Sequence, residues 1–275
     1  MPKICICVDD YGLHQGINQA ALSLLDRGRI SAISCLVEGP AWGLGRKALR
    51  ERAHQIEIGL HLNFTESFGK DRKGRSLRSL IMAAYAHRLD ARAFALDIRR
   101  QMERFEMDTG QMPDFVDGHQ HVHQLPVIRE AVVEALDGRY KGRKPWVRGS
   151  CPLPFGTFET GISTWWKLNL IGMLGGPALV RLLRAHGYRH NRRLLGVYGF
   201  DVSEAVYLRL LRSWLESAED GDLLMCHPSL PGRWEDPLLK ARHREYRVLS
   251  GDEWDVLLRS ADIRIAPLAH WSREA

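Results

Sequence analysis

A short run near the middle of the chain, Asp117 to His123, concentrates side chains that can transfer protons or bind metal ions. It reads Asp-Gly-His-Gln-His-Val-His and holds three of the twelve histidines of the sequence. If the run is extended, its side chains alternate, so the aspartate and all three histidines would project from one face. A polar face of a surface strand would give the same pattern. The apolar Phe115-Val116 before the run and the helix-like stretch after it instead indicate a strand end, where α/β proteins carry their chemistry.

Three other predicted strands end in residues of the same kinds. They are Asp9-Asp10 after the apolar run 3–8, His61 within the strand 56–64, and His227 near the end of the strand 221–229. A single histidine after a strand is often a structural hydrogen-bonding residue, and adjacent aspartates often begin a loop or cap a helix. In a β/α barrel, however, the C-terminal ends of the strands converge on one cavity. Four such ends together therefore favour a functional site.

The chemistry that these groups suit is hydrolysis with a bound divalent ion. Carboxylate and imidazole ligands that leave positions open for water suit a catalytic ion, whose charge lowers the pKa of a bound water molecule. In the pair Asp9-Asp10, one aspartate can bind the ion while its neighbour takes the proton of that water. Ligands of these two kinds accept zinc, cobalt, nickel or manganese, so they do not select the metal.

The elements that must position these residues alternate between strand and helix about seven times. Further strands are predicted at 30–37, 115–123, 146–148, 194–200 and 263–268, and helices at 16–27, 41–53, 126–136, 164–186, 203–218 and 252–260, with one more that ends near Met107. Residues 67–80 are polar and basic and are predicted to form a long surface loop, a candidate lid. No shift in composition marks a linker. The pattern predicts one α/β domain over 1–275, a single irregular (β/α) barrel.

The composition excludes several other classes of protein. Hydrophobic residues make up 45% and charged residues 26%, which argues against disorder and fibrous repeats. The start leads directly into a strand too short for a signal-peptide core, so we expect a cytoplasmic protein. The five cysteines form no CxxC pair and indicate reduced, buried thiols. The formal charge of +6 is scattered without a nucleic-acid-binding motif, which favours a solvated basic surface over a nucleic-acid partner.

The motifs at the strand ends resemble those of the YdjC-like carbohydrate deacetylases, also called the ChbG/HpnK family. They are Val8-Asp9-Asp10-Tyr11-Gly12, Gly59-Leu60-His61-Leu62 followed by Thr65, the run from Asp117 to His123, and Met225-Cys226-His227-Pro228, in the family's order. The resemblance implies a deformed (β/α) barrel similar to NodB-type polysaccharide deacetylases. It also implies removal of N-acetyl groups from amino sugars with one divalent metal ion, commonly described as magnesium, and a homodimer.

The same resemblance assigns roles to individual residues. The implied metal ligands are Asp10, His61 and His119. The implied catalytic residues are Asp9 as the base, His227 as the protonated partner of the leaving amine, and Arg148 as the arginine that orients the base. No role follows for His121 or His123. Residues 150–200 match the family poorly, so the substrate stays open between an N-acetylated oligosaccharide and a glycolipid.

Two other functions fit the same residues. A metal-dependent phosphoesterase or another amidohydrolase on the same barrel would use the same activated water, and a carbohydrate-binding protein without turnover would keep only the fold. Asp9, Asp10 and His227 together favour an enzyme, because a binding protein needs neither a base nor an acid.

The segment 164–186 suggests a hypothesis about where the substrate is located. Trp165-Trp166-Lys167 begin an apolar stretch, and the arginines near its end and beyond it are Arg181, Arg184, Arg189, Arg192 and Arg193. Interfacial helices combine tryptophan and aliphatic residues with basic residues that attract anionic headgroups. Internal glycines and Pro177 make the stretch too short and irregular to span a bilayer. The alternatives are transient contact with a membrane surface and an ordinary outer helix of the barrel.

Overall fold

The computed structural model describes residues 1–68, 74–150, 174–232 and 234–270. Within these ranges, strands alternate with helices along most of the chain. The strands are β1 (Lys3–Tyr11), β2 (Ala32–Cys35), β3 (Glu57–Leu62), β4 (Phe115–Gly118), β5 (Trp146–Val147), β6 (Leu194–Leu195), β7 (Leu223–Cys226) and β8 (Arg264–Ile265). The helices are α1 (Gln15–Asp26), α2 (Trp42–Arg50), α3 (Leu77–Tyr85), α4 (Ala91–Thr109), α5 (Ile128–Arg139), α6 (Gly176–Ala185), α7 (Glu204–Glu216), α8 (Leu239–Ser250) and α9 (Asp252–Ser260).

Seven of the strands form a curved parallel sheet in the order β5-β4-β3-β2-β1-β7-β6, and β8 pairs with the beginning of β1. The central strand β1 is buried from Ile4 onward, as parallel strands covered on both faces are. Among the described residues, no ladder joins β5 to β6. The predicted deformed (β/α) barrel is therefore confirmed as a parallel half-barrel surrounded by helices.

Local signals explain where α4, the longest of the described helices, begins and ends. The Asp90 side chain accepts hydrogen bonds from the backbone N–H groups of Arg92 and Ala93 and so caps the start of α4. Gly110, with φ +78°, ends the helix in the left-handed conformation. Its inward face buries the predicted apolar stripe of Phe94, Ile98, Met102 and Phe105. The prediction of an amphipathic helix here is confirmed.

The run from Asp117 to His123 is not a continuous strand, so that prediction was wrong. β4 ends at Gly118, and residues 119–124 form a tight 3₁₀ segment in which Gln120 and His121 adopt the left-handed conformation. A Cβ atom at Gly118 would lie 3.0 Å from atoms of His123, so the chain folds back closely at this glycine. The aspartate and the three histidines consequently reach different partners instead of sharing one face.

Two of the described helices lie where the sequence pattern predicts none. α3 begins inside the predicted loop 67–80, where the Ser76 hydroxyl accepts the Ser79 N–H and caps the helix. α8 was missed because charged residues, among them Arg242 and Glu245, face inward and interrupt the apolar periodicity. Its start does carry a signal, since an Asp-Pro pair precedes it and the Asp236 side chain accepts the Leu238 N–H.

Some sequence predictions fall on residues outside the described ranges. These include Trp165-Trp166 and the rest of the segment before residue 174, positions 69–73 of the predicted lid, and Cys151. Cys5, Cys7, Cys35 and Cys226 are free and buried, as expected. Among the described helices, none is long and apolar enough to cross a membrane.

Candidate active site and metal centre

The C-terminal ends of β1, β3, β4 and β7 surround one cavity of about 850 Å³. Its polar lining includes Asp9, Asp10, His61, His119, His121 and His227. Asp117 lies at the end of β4 and is fully buried. The structure therefore brings together all four strand ends that the sequence singles out.

An irregularity in β1 presents two adjacent aspartates to this cavity. Successive side chains of a regular strand point to opposite faces, so neighbours would not normally serve one site. The pairing of β1 with β2 shifts register between Val8 and Tyr11, and Asp10 adopts the left-handed conformation with φ +65°. Such a bulge re-aims a side chain. Asp9 and Asp10 therefore both line the cavity.

The three implied metal ligands lie close together. One oxygen of Asp10, Oδ1, lies 2.8 Å from His119 Nδ1 and 3.3 Å from His61 Nε2. One donor atom from each of these residues lies within 4.8 Å of the other two. The second nitrogen of His119 lies 3.5 Å from a carboxylate oxygen of Glu66. One carboxylate and two imidazoles fit a divalent ion and leave further positions for water or substrate.

Hydrogen bonds fix the orientation of the His61 ring. Its Nδ1–H donates to Asp117 Oδ1 over 2.7 Å, and this oxygen also accepts a hydrogen bond from the Ser34 hydroxyl. Nε2 is left facing Asp10, in the arrangement by which a second carboxylate orients a metal-binding histidine. Burial opposes the charged imidazole, but Asp117 and Asp10 outweigh it and raise the pKa of His61 to about 10. Protons and a metal ion therefore compete for this ring.

The implied catalytic residues form a second group beside the first. Arg148 donates to both oxygens of Asp9 over 2.6 Å and lies 2.7 Å from Asp117 Oδ2. Burial opposes ionisation of Asp9, but the guanidinium outweighs it and holds the pKa of this carboxyl below its usual value. His227 Nε2 lies 3.9 Å from Asp9 Oδ2, and the His227 backbone N–H donates to Glu245. The carboxylate thus lies between a fixed cation and an imidazole.

Arg242 is a part of the site that the sequence reasoning missed. It is 2% exposed, and its Nη2 donates to Asp10 Oδ2 over 2.7 Å while Nε lies 2.6 Å from Asp236 Oδ2. Burial opposes ionisation of Asp10, but His119 and Arg242 hold its pKa well below the usual value. The two oxygens of Asp10 are therefore divided, with Oδ1 toward the imidazoles and Oδ2 toward the guanidinium. The Asp-Pro start of α8 is the only sequence signal that points to this residue.

The two remaining histidines of the run have other partners. His121 lines the cavity, and its Nδ1 lies 3.3 Å from the Ser150 hydroxyl. His123 donates from Nε2 to the Arg148 carbonyl over 2.8 Å and so supports the backbone of that arginine. Burial lowers the pKa of His121 to about 3 and that of His123 to about 4. Neither ring belongs to the donor set of Asp10, His61 and His119.

Comparisons with known sequences agree with these motifs. The family model described as YdjC-like protein matches residues 3–260. A carbohydrate deacetylase from Danio rerio is 30% identical over 146 residues, which span 49% of this chain and 46% of that relative. The match thus covers about half of the chain and less than half of the relative. A chitooligosaccharide deacetylase from Yersinia pestis is 26% identical over 242 residues, or 83% of each protein.

Solved structures show the same fold. A candidate cellobiose-phosphate cleavage protein from Enterococcus faecalis V583 superposes with a TM-score of 0.72 at 17% identity, over 98% of each chain. A family 4 acetyl xylan esterase from Clostridium thermocellum, solved with a cobalt ion, gives a TM-score of 0.50 at 10% identity, over 97% of this chain and 88% of its own. At these identities the likeness concerns the fold alone. It bears out the predicted likeness to NodB-type enzymes at that level.

Proposed function

The chain belongs to the YdjC-like protein family, and we propose that it is a metal-dependent hydrolase that removes the N-acetyl group from an N-acetylated amino sugar. The observation that carries the proposal is the position of Asp9, between Arg148 and His227 and beside the three donor atoms of the candidate metal centre. The names of the two deacetylase relatives support the same reaction. A protein that only bound sugars would need neither a base nor an acid.

Asp10, His61 and His119 would hold one divalent ion. The fit rests on their converging donor atoms and on the carboxylate of Asp117, which turns the His61 ring toward Asp10. When bound, the ion would polarise the acetyl carbonyl and acidify the attacking water. Magnesium, zinc, manganese, cobalt and nickel all remain compatible with this ligand set.

The remaining chemistry falls to two side chains. Asp9 would take a proton from the attacking water as the oxygen of that water bonds to the carbonyl carbon of the acetyl group. Arg148 keeps this carboxylate ionised and fixes both of its oxygens, so the base is ready at neutral pH. His227 would give a proton to the nitrogen as the C–N bond breaks. One water molecule is consumed, and the products are acetate and a free amino sugar.

Acetate release separates this function from the alternative phosphoesterase. The metal-loaded protein should release acetate from N,N′-diacetylchitobiose and leave p-nitrophenyl phosphate intact. Mass spectrometry of the sugar should show the loss of an acetyl group, and an enzymatic acetate assay should give the rate. Release of phosphate without any acetate would contradict the proposal and favour a phosphoesterase on the same fold.

Replacing His227 with glutamine should lower the maximal rate by about 10²- to 10⁴-fold and flatten the alkaline limb of the pH–rate profile. A general acid must carry a proton while Asp9 has lost its own, so the wild-type rate should fall at alkaline pH as the acid loses its proton. Because Arg148 holds the pKa of Asp9 below its usual value, the acidic limb should begin only well below neutral pH. The acidic limb should persist in the variant, because it reports protonation of the base. Initial rates of acetate release across pH provide the measurement. An alkaline limb unchanged in the variant would remove His227 from the acid role.

A further inference from the structure

Two stacked rings form part of the cavity wall away from the strand ends. The rings of His14 and Trp234 are nearly parallel, with centroids 4.9 Å apart and an interplanar angle of 12°. Both side chains line the cavity that holds the candidate metal centre. The mechanism proposed above uses neither of them. Flat aromatic surfaces with polar edges are suited to amphipathic ligands such as sugars, whose C–H groups pack on the ring while their hydroxyls bond to neighbours.

The ring pair is fixed by its surroundings. His14 Nε2 lies 3.2 Å from Asp236 Oδ2, and these two side chains are only 10% and 5% exposed. The indole is accommodated by two glycines, because a Cβ atom at Gly16 or Gly232 would approach its nitrogen to 2.7 or 2.2 Å. The surface therefore exists before a ligand arrives. A preformed surface reduces the entropy lost on binding.

A short bridge separates the rings from the candidate metal centre. One guanidinium, that of Arg242, contacts Asp236 on one side and Asp10 on the other, over 2.6 and 2.7 Å. Asp236 in turn contacts His14. The carboxylate of Asp236 and the guanidinium of Arg242 therefore lie between the ring of His14 and the carboxylate of Asp10. If the acetamido group of one sugar residue reached Asp10, the next sugar residue of the oligosaccharide would lie against these rings.

The loop that carries Trp234 also supplies an acceptor for hydroxyl groups. Glu235 follows the tryptophan directly, is exposed and lines the cavity. The oxygens of Asp236, in contrast, already contact a backbone N–H, His14 and Arg242. We propose that His14 and Trp234 form a subsite for the sugar residue next to the one that is deacetylated, so that the preferred substrate is at least a disaccharide. This inference rests on the proposed function, because it takes the candidate metal centre as the place of the acetamido group.

The test compares a monosaccharide with a disaccharide. Trp234→Ala should raise KM for N,N′-diacetylchitobiose by about 10-fold and leave KM for N-acetylglucosamine unchanged. The effect is modest because the packing of one sugar on one aromatic ring contributes little binding free energy. Trp234→Phe should restore most of the loss. Tyr85→Ala is the matched control, because Tyr85 is an exposed aromatic residue that does not line the cavity. Calorimetry in an Asp9→Asn background, with metal present, measures the affinity for both sugars without turnover.

The outcomes separate the subsite from the proposed function. Equal effects of Trp234→Ala on both sugars, or no effect on either, would overturn the subsite while acetate release continued to support a deacetylase. If the wild type released no acetate from either sugar, deacetylation of these sugars would be excluded. The calorimetric comparison would then still decide the subsite, which requires a preference for the disaccharide that disappears in Trp234→Ala.

Discussion

Replacing any one of Asp10, His61 and His119 with alanine should remove the bound divalent ion and the turnover together. Among the described residues, each supplies one of the three donors that form the candidate metal centre, so two of these donors would remain. The loss should exceed the roughly 10- to 100-fold in affinity or activity that removal of a supporting hydrogen bond typically causes. Elemental analysis of dialysed protein measures the metal, and acetate release measures the turnover.

The neighbouring histidines provide the controls for this prediction. His121→Ala and His123→Ala should retain the ion, because their rings contact Ser150 and the Arg148 carbonyl instead of the donor set. Thermal unfolding distinguishes a general loss of stability from a specific loss of metal. If either variant lost the ion while His119→Ala kept it, the assignment of His119 within the run would be wrong.

Two buried arginines of α8 allow the contribution of Arg242 to metal binding to be tested. Arg242→Lys retains the charge but loses the fork that joins Asp10 to Asp236, so metal affinity should fall by about 10- to 100-fold. Arg244 is the matched control, because it is also buried on this helix but donates to the carbonyls of Phe200 and Val202. Arg244→Lys should leave metal affinity unchanged. Equal losses in the two variants would show that Arg242 acts only through the stability of the helix.

The residues of the candidate site could be predicted from the sequence because they lie at the ends of parallel strands. Buried strands are recognisable as apolar runs, and their C-terminal ends meet at one edge of the sheet. Asp9, His61, Asp117 and His227 each follow or end such a run. The structure places three of them in the lining of one cavity and hydrogen-bonds Asp117 to His61. Errors of a few residues in the predicted bounds of the strands do not change which residues lie at the strand ends.

The geometry within the site could not be predicted in the same way. Regular alternation gives the wrong faces at Asp10 and after Gly118, because a bulge and a left-handed turn redirect the chain there. Arg242 was not predicted for a different reason. A buried charged residue on the inward face of a helix interrupts the apolar periodicity by which helices are recognised. Both kinds of departure are local and occur where the chain supplies groups to the cavity. A single domain, a homodimer and contact with a membrane surface stay predictions.

Replacing Asp9 with asparagine should keep the ion and lower turnover by about 10²- to 10⁴-fold. Asparagine preserves the size of the side chain and an oxygen that can accept a hydrogen bond from Arg148, but it cannot take a proton from water. Arg148 would keep its ion pair with Asp117, so the buried cation would not be left without a counter-charge. The two aspartates have different nearest partners, which makes this variant informative. Asp10 lies 2.8 Å from one histidine of the donor set and 3.3 Å from the other, whereas Asp9 is held by Arg148.

Metal content, thermal unfolding and acetate release should be measured on the same preparation of Asp9→Asn. A base that acts only in proton transfer gives full metal occupancy, a near-native unfolding temperature and a rate that raising the metal concentration does not restore. If Asp9 instead served mainly to neutralise Arg148, the loss of rate would be accompanied by reduced stability and reduced metal content. A full-rate variant would remove Asp9 from the mechanism. Burial raises the pKa of Asp9 and Arg148 lowers it, and the effect of the arginine is the larger. The wild-type base should therefore stay ionised through neutral pH.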